Sequence, residues 1–380
     1  MIWARPVHLA VSSALWARLG LGAEIVESLE AGRESYALVT GLGVSEREAL
    51  AHVVGASWVG GTGDAAVIRY SQHSLEVWRR ALGDHLLAGA LKRLSIDAPE
   101  ASLGFEWGAR TRVMGIVNVT PDSFSDGGVH ATTEAAIAHG RALVKQGADL
   151  LDIGGESTRP EADPVSEDEE LRRVLPVIEG LRDVGVPLSV DTMKPAVARR
   201  AVMAGATLVN DVSGLRDDTM IDVLADTGAC ACVMHMQGTP RTMQKAPAYE
   251  DLTGEILESL ENVLQRAERR GVKRSKLWVD PGVGFGKTSD HNLYLLRRAR
   301  EFRLLGVPVL FGVSRKGFIG KLLGGKPANE RAVASATIAG ILAADGAVDV
   351  VRVHDVGETR DALAVADAIR LARDGGSRFT

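Results

Sequence analysis

From about residue 110 onward the chain alternates short, uniformly apolar runs with longer stretches of helical periodicity, and it does so eight times. The runs are Val113–Val119, Leu150–Gly154, Leu188–Asp191, Leu208–Asp211, Cys230–His235, Leu277–Asp280, Val309–Val313 and Val350–Val353. Each is too short and too apolar all round for an amphipathic helix, which marks strands buried on both faces. Helix signals fill the gaps. Ser166 and Glu169 stand at capping-box spacing before Leu171, Val174, Leu175, Ile178 and Leu181 on one helical face. Lys194-Pro195 opens the next helix and Gly205 closes it, the usual asymmetry of helix ends. Another helix runs from about Ser289 to Gly306, and Asp355 with Glu358 repeats the capping spacing. Eight βα units over ~265 residues match a closed (β/α)8 barrel. An open doubly wound sheet is the alternative, although it ordinarily carries a Gly-rich dinucleotide loop after its first strand.

The first hundred residues have another texture. A strand over Ser35–Thr40, a helix over Ser45–Val54, a strand over Asp64–Tyr70 and a helix from about Ser74 to Leu94 predict a small α/β accessory domain (1–100) ahead of the barrel (101–380). Its ionisable residues form no convergent cluster, and Gly60-Gly-Thr-Gly63 reads as a turn. Between the two parts, Leu103–Arg110 is placed to form a hairpin that plugs the bottom of the barrel.

Composition removes several classes of function. With 380 residues, 46% of them hydrophobic, the chain is large enough for two domains. A net charge of −5 with scattered Lys and Arg gives no field for nucleic acid, so an anionic substrate must be held by local groups. The two cysteines, Cys230 and Cys232, alternate along one strand and are expected to be buried and inert. The N-terminus lacks the apolar core of a signal peptide, and no run approaches the ~20 apolar residues of a membrane span. A cytoplasmic enzyme is the expectation.

In such a barrel chemistry comes from the C-terminal ends of the strands, and here those ends are polar. Strand one leads through Asn118 into Val-Thr-Pro121-Asp-Ser-Phe124-Ser-Asp-Gly-Gly128, whose Pro and Gly residues cannot continue a helix. Strand two ends in Gly154-Gly-Glu-Ser-Thr158-Arg159-Pro160, strand three in Asp191-Thr192, and strand four in Asn210-Asp211. The fifth ends in His235-Met-Gln237 and the sixth in Asp280-Pro-Gly282, with Phe285 and Lys287 beyond. Ser314-Arg315-Lys316 follows the seventh, and the eighth gives Arg352, His354 and Asp355. Asp211 and Asp355 read equally well as helix-capping or loop residues.

These groups divide by what they could bind. Asp191, Asn210 and Asp280 bring acceptor oxygens from separate strands to one rim, which suits a flat heterocycle rich in N–H donors. Asn118, Arg352 and His354 come from strands that become neighbours when the barrel closes. Two cationic donors and an amide oxygen suit a phosphorylated group with Mg²⁺ completing the charge balance. Lys316 and Arg315 add positive charge at that corner. Two other motifs lead nowhere. Gly282-Val-Gly-Phe-Gly286-Lys287-Thr288 ends like a phosphate-binding loop, but its preceding glycine is three residues from Gly286-Lys287 where four are required. Asn118-Val-Thr120 has glycosylation spacing in a chain expected to stay in the cytosol.

Taken together, Asn118-Val-Thr-Pro-Asp-Ser-Phe-Ser-Asp-Gly-Gly, Gly154-Gly-Glu-Ser-Thr-Arg-Pro, Asp280-Pro-Gly-Val-Gly-Phe-Gly-Lys, Ser314-Arg-Lys and Arg352-Val-His-Asp resemble the dihydropteroate synthase family of pterin-binding barrels. The likeness spans about residues 103 to 375. It implies condensation of 6-hydroxymethyl-7,8-dihydropterin pyrophosphate with p-aminobenzoate, with Mg²⁺ as cofactor, in a homodimer. By the same resemblance Asp191, Asp280, Lys316 and Arg159 are the expected catalytic residues. Asn210, Met234, Phe285, Gly312, Phe124, Thr158, Pro160, Ser314, Arg352 and His354 are expected to bind substrate, and Asn118 to bind the metal. Asp191, Asn210, Asp280 and Lys316 would hold the pterin ring, while Asn118, Arg352 and His354 would receive pyrophosphate. The loops carrying Phe124 and Thr158-Arg159-Pro160 would close over p-aminobenzoate, where sulfonamides compete.

That chemistry suits the residues. Breaking the exocyclic CH₂–O bond leaves positive charge on the ring and negative charge on pyrophosphate, so carboxylates should face the one and cations the other. A methyltetrahydrofolate:corrinoid methyltransferase shares pterin-holding aspartates but has no pyrophosphate to hold. A non-catalytic homologue acting as a partner subunit would be expected to have lost some of Asn118, Arg159, Asp191, Lys316 or His354. The first hundred residues carry no motif of the folate enzymes to which such barrels are fused.

Overall fold

The computed structural model describes residues 3–7, 35–61, 63–83, 85, 87–88, 91, 98–119, 133–157 and 163–372. The chain divides into two compact units, the first of Met1–Asp97 with Arg303–Gly306 and the second of Ala98–Phe302 with Val307–Thr380.

The first unit is built on a four-stranded antiparallel sheet of β1 (Trp3–Val7), β2 (Ser35–Thr40), β3 (Trp58–Gly60) and β4 (Ala66–Tyr70), in the order β1-β2-β4-β3. Two of these strands lie outside the sequence expectation. Pro6 argues against a strand in Trp3–Val7, but β1 is an edge, where a missing N–H is tolerated. With three residues and a register shift, β3 is too short to show alternation. Helices α1 (Val44–Val54) and α2 (Gln72–Leu82) complete the unit. Ser71 caps α2 in a reciprocal box with Ser74, and Gly83 at φ +53° ends it well before the expected Leu94. The glycine stretch after β3 is the connection to β4. Its Gly61 and Gly63 carbonyls accept from Arg47 at 2.7 and 2.8 Å, which is a pinned turn and not a cradle of free N–H groups.

The second unit is an eight-stranded parallel barrel of β5 (Arg112–Asn118), β6 (Leu150–Gly154), β7 (Leu188–Asp191), β8 (Leu208–Asp211), β9 (Cys230–Met234), β10 (Leu277–Asp280), β11 (Leu310–Phe311) and β12 (Val350–Val353). Consecutive strands pair from β5 to β10, β12 joins β11 to β5, and closure falls between β10 and β11. There a single Val279–Val309 bridge and a 2.9 Å bond from Val279 N to Pro308 O complete the ring. The observed β11 is shorter than the expected Val309–Val313. Pro308 offers no N–H, and Val309 N donates to the Asp349 carboxylate at 2.8 Å in place of a ladder partner.

The intervening helices are α3 (Thr133–Lys145), α4 (Glu167–Leu181), α5 (Pro195–Ala204), α6 (Asp218–Thr227), α7 (Leu252–Arg269), α8 (Ser289–Arg297), α9 (Gly317–Leu322), α10 (Ala332–Ala344) and α11 (Val356–Arg370). Ser166 caps α4 by accepting from Glu169 N, but the Glu169 carboxylate turns to Arg173 at 2.7 Å and the box stays half-made. The buried face of α4 is Glu170, Val174, Val177, Ile178 and Leu181, rotated slightly from the one expected. Lys194-Pro195 and Gly205 bound α5 as anticipated. A 3₁₀ segment, Ala299–Leu305, replaces the second half of the helix expected up to Gly306.

At the bottom, Leu103 (φ +52°) and Gly104 (φ +75°) form a two-residue turn closed by reciprocal Ser102–Phe105 backbone bonds, shorter than the hairpin anticipated to Arg110. It delivers Phe105 and Trp107 against Met114, Leu150, Leu208, Cys230, Trp278, Leu310 and Val350. Trp107 meets Trp278 edge-on at 5.2 Å, and Trp278 Nε1 donates to Ser102 Oγ at 3.0 Å. Burying one indole is worth on the order of 5 kcal/mol, so this plug is a principal anchor of the core. Cys230 and Cys232 are free, buried thiols, and burial pushes Cys230 up to about 11, which leaves it unreactive.

Candidate active site

Strand alternation places the chemistry directly above this plug. Two residues beyond Leu150, Leu208, Trp278, Leu310 and Val350, on the same inward face, stand Asp152, Asn210, Asp280, Gly312 and Arg352. One step along the strands thus changes the lining from packed hydrocarbon to polar groups. Asp152 is the hub. It is fully buried, its Oδ1 accepts from Ser189 Oγ at 2.5 Å, and its Oδ2 accepts from Asn210 Nδ2 at 3.0 Å and Arg352 Nε at 2.6 Å. The same guanidinium donates through Nη2 to Asp191 Oδ2 at 2.8 Å.

Asp191 Oδ1 is buried with no hydrogen-bond partner among the described residues. Burial pushes this carboxyl up to about 7; Arg352 pulls it down, while Asp152, Glu170 and Asp211 add like-charge repulsion. Desolvation also raises Asp280, against the Gly282 N–H that its Oδ1 accepts at 2.8 Å and the pull of Lys316, Lys287 and Arg352. Gly312 leaves the space over the other oxygen open, since a Cβ there would stand 3.8 Å from Asp280 Oδ2. Burial lowers Lys316 to about 8, with Asp280 and Asp191 opposing and Arg352 adding to the shift. Its Nζ lies 4.3 Å from the centre of the Phe285 ring, a cation–π contact. Phe285 also packs on the buried cluster of Val212, Met234, Met236 and Met243, which makes one side of the site apolar and polarisable.

Along the rim Asn118 ends β5 opposite Gly154, and Gly154 pairs with Asp191. A Cβ on Gly154 would meet Asp191 Cβ at 3.4 Å and Asn118 Oδ1 at 3.8 Å, so the glycine keeps a gap between the two side chains. Ser314 Oγ lies 3.0 Å from His354 Nδ1 and accepts from His354 N at 3.1 Å, tying the ends of β11 and β12 together. Two expectations at the rim need correction, those for Arg315 and for Asp355 as a helix cap. Arg315 does not offer free charge to a phosphate corner, because its guanidinium is held by the Asp355 carboxylate at 2.5 and 3.1 Å. Asp355 accordingly makes no side-chain cap on α11. Asp211 closes a turn by accepting from Ser213 N and Leu215 N. Arg352 has Nε and Nη2 on two carboxylates, which hold its guanidinium at the edge of the floor beside the rim.

The loop after β10 holds Phe285 in place. Gly282 (φ +74°) runs so close to the end of β9 that a Cβ would meet His235 O at 1.9 Å. Lys287 turns inward, with Nζ 3.1 Å from His235 Nδ1 and donating to Phe285 O at 3.0 Å. Burial lowers Lys287 to about 7 and, with Lys287 and Arg216 nearby, His235 to about 3. Lys287 is therefore a strut, consistent with setting aside the phosphate-loop motif.

Asn118, Asp191, Asn210, Met234, Asp280, Phe285, Gly312, Ser314, Lys316, Arg352 and His354 all fall on the open end of the barrel. Phe124, Thr158, Arg159 and Pro160 lie outside the described residues. Sequence reasoning missed Asp152 and Ser189, which sit inside apolar strands. It also missed Lys194, whose Nζ pairs with Glu156 and, at 2.5 Å, with the buried Glu170 beside the end of β6.

A buried floor of acceptors, a lysine on an aromatic ring and a polar rim define a barrel enzyme for a flat, donor-rich ring. The model of the pterin binding enzyme family matches residues 114–354. The dihydropteroate synthase of Escherichia coli K12 is 46% identical over 263 residues, covering 69% of this chain and 93% of the relative. The Yersinia pestis dihydropteroate synthase, solved with a sulfonamide drug, superposes with a TM-score of 0.67 at 44% identity, covering 72% of this chain and 100% of that one. The Xanthomonas albilineans dihydropteroate synthase gives 0.65 at 49% identity with 4-aminobenzoic acid and 0.63 at 47% with 7,8-dihydropteroate. These two cover 70% of this chain and 94% and 95% of theirs. The chain belongs to the pterin-binding dihydropteroate synthase family.

Proposed function

We propose that the open end of the barrel condenses 6-hydroxymethyl-7,8-dihydropterin pyrophosphate with p-aminobenzoate, releasing 7,8-dihydropteroate and pyrophosphate. The observation that carries this is the buried Asp191 Oδ1, without a hydrogen-bond partner among the described residues, beside Asn210 and Asp280, an acceptor array awaiting ring N–H donors. As the CH₂–O bond breaks, the pair of electrons leaves with pyrophosphate and the ring becomes cationic. Asp191 and Asp280 then face growing positive charge in a site whose burial strengthens the attraction. The amine of p-aminobenzoate bonds to the methylene carbon, and its proton passes to the released pyrophosphate. No protein nucleophile is required, and a covalent pterin–enzyme adduct would sink this dissociative course. Lys316, stacked on Phe285, supplies a cationic donor at the ring's edge. Ser314 and His354 at the ends of β11 and β12 are offered to the phosphates.

Mg²⁺ fits the rim in a particular way. Among the described residues no group of three or more His, Cys, Asp or Glu could hold a metal ion. Asn118 Oδ1 would be the protein ligand, with phosphate oxygens supplying others, the usual manner of Mg²⁺ at phosphorylated substrates. Bound there, the ion would neutralise charge developing on pyrophosphate. The loops of Phe124 and Thr158-Arg159-Pro160 are assigned to p-aminobenzoate. If Arg159→Ala left turnover and p-aminobenzoate affinity unchanged, that assignment would be wrong.

Exposed Val333 and Ile341 on α10, with Val365 and Ile369 on α11, support a homodimer through those helices. Among the described residues no helix is long and apolar enough to cross a membrane, in keeping with a cytoplasmic location. The first unit is given no catalytic task; oligomer contacts or support of the barrel are its proposed uses. The direct test is mass spectrometry of a reaction containing both substrates and Mg²⁺. Dihydropteroate is the expected product, and its absence would overturn the assignment.

A further inference from the structure

We infer that Asp152 is a positioning residue that decides which face of the Asn210 amide the substrate ring meets, and so sets the donor–acceptor polarity the site demands. This rests on the pterin-ring reading of the floor and extends it to a residue that cannot itself be a rim ligand, since Asp152 is fully buried beneath that floor. An amide's two ends are nearly the same shape, and only their partners distinguish them. Here the partner is a carboxylate oxygen already accepting from Arg352 Nε at 2.6 Å, an atom able to accept but not donate. The Asn210 Nδ2 is therefore committed to Asp152 Oδ2 at 3.0 Å, and Oδ1 is left as the end that can serve the ring.

Without Asp152, Asn210 could turn over and present N–H donors, and the floor would no longer be uniform. With it, Asn210 Oδ1 joins Asp191 Oδ1 and Asp280 Oδ2 as a third acceptor. Asp191 and Asp280 carry two oxygens each and cannot express such a choice while ionised. The amide is the only one of the three whose polarity needs setting. The Ser189 hydroxyl holds the other oxygen of Asp152 at 2.5 Å, which fixes the carboxylate without touching Asn210.

The experiment compares equilibrium binding of 6-hydroxymethylpterin and its 2-oxo analogue 6-hydroxymethyllumazine, in which a carbonyl acceptor replaces the 2-amino donor and N1 becomes an N–H donor. The wild-type chain is expected to prefer the pterin by roughly 10- to 100-fold, the usual range for leaving buried polar groups unpaired. Asp152→Asn keeps the shape and frees the amide to turn, so the preference should shrink by about tenfold or more. The exchange variant carrying Asp152→Asn together with Asn210→Asp restores a fixed acceptor and should recover the wild-type preference, whether or not the single variant folds. A ratio unaltered in folded Asp152→Asn, or lost in the folded exchange variant, would overturn the inference while leaving the function intact. A wild-type chain that binds neither ring would instead remove the pterin-site reading, and this inference with it.

Discussion

Burial resists ionisation of Asp191, and the tension between that and its proposed ring-facing role yields the sharpest residue-level predictions. Its folded pKa of about 7 lies above the ordinary 3.8, so between those values the folded chain binds more protons than the unfolded one. Stability contributed by this group therefore falls as pH rises through that window, and the cost is fully present above about 7. Lys316 runs the other way, from 10.5 down to about 8, and its cost is relieved as pH climbs between those values. Asp191→Asn should thus melt no lower than wild type at pH 8, because the amide oxygen can still accept from Arg352, while kcat falls by about 100-fold or more. If catalysis needs Asp191 charged and Lys316 protonated, kcat/KM should be bell-shaped, with limbs near 7 and near 8. A flat profile across that range would remove one of the two roles. Asp191, Asn210 and Asp280 were legible because each breaks an apolar run at a strand's end. Asp152 was not, since Leu151 and Ile153 flank it and Arg352, the partner that explains it, stands far along the chain.

Among the elements, the glycines divide into those that shape the backbone and those that keep space for a ligand. Gly312→Ala would place its Cβ 3.8 Å from Asp280 Oδ2, an ordinary contact, over the ring-facing oxygen. The variant should fold with an unchanged melting temperature and show a KM for the pterin substrate raised by about tenfold. Gly282→Ala should instead fail to fold or melt far lower, since its Cβ would lie 1.9 Å from His235 O at a φ of +74°. Equal melting temperatures for the two variants would show that the distinction is mistaken. Legibility followed the same physics. Strands buried on both faces, such as β6, β7, β8 and β10, fell where their apolar runs place them, and α5 was bounded by its proline and glycine. By contrast β1 hides behind a proline that only an edge permits, β3 is too brief for a period, and β11 is cut short by Pro308.

For the whole molecule, every described site residue lies between Asn118 and His354, within the span shared with the family. A chain beginning at Ala98 should therefore retain turnover. One beginning at Arg110 would lose Phe105 and Trp107 and should be destabilised by roughly 3–5 kcal/mol or more, the loss seen for large aromatic truncations. Urea unfolding of the two truncated chains separates these outcomes, and equal stability would show that the plug is dispensable. Sequence carried the barrel because its repeat is long and regular, and it carried the rim because a barrel's chemistry collects at one end. It could not carry the pairing of Arg352 with Asp152 and Asp191, which exists only after the ring closes. The most direct measurement is pyrophosphate release from 6-hydroxymethyl-7,8-dihydropterin pyrophosphate, with p-aminobenzoate and Mg²⁺ each present or omitted. The account predicts sustained release, matched one for one by dihydropteroate, only when both are present, and its loss in Asp280→Asn. Equal release without p-aminobenzoate, or full activity in Asp280→Asn, would contradict it.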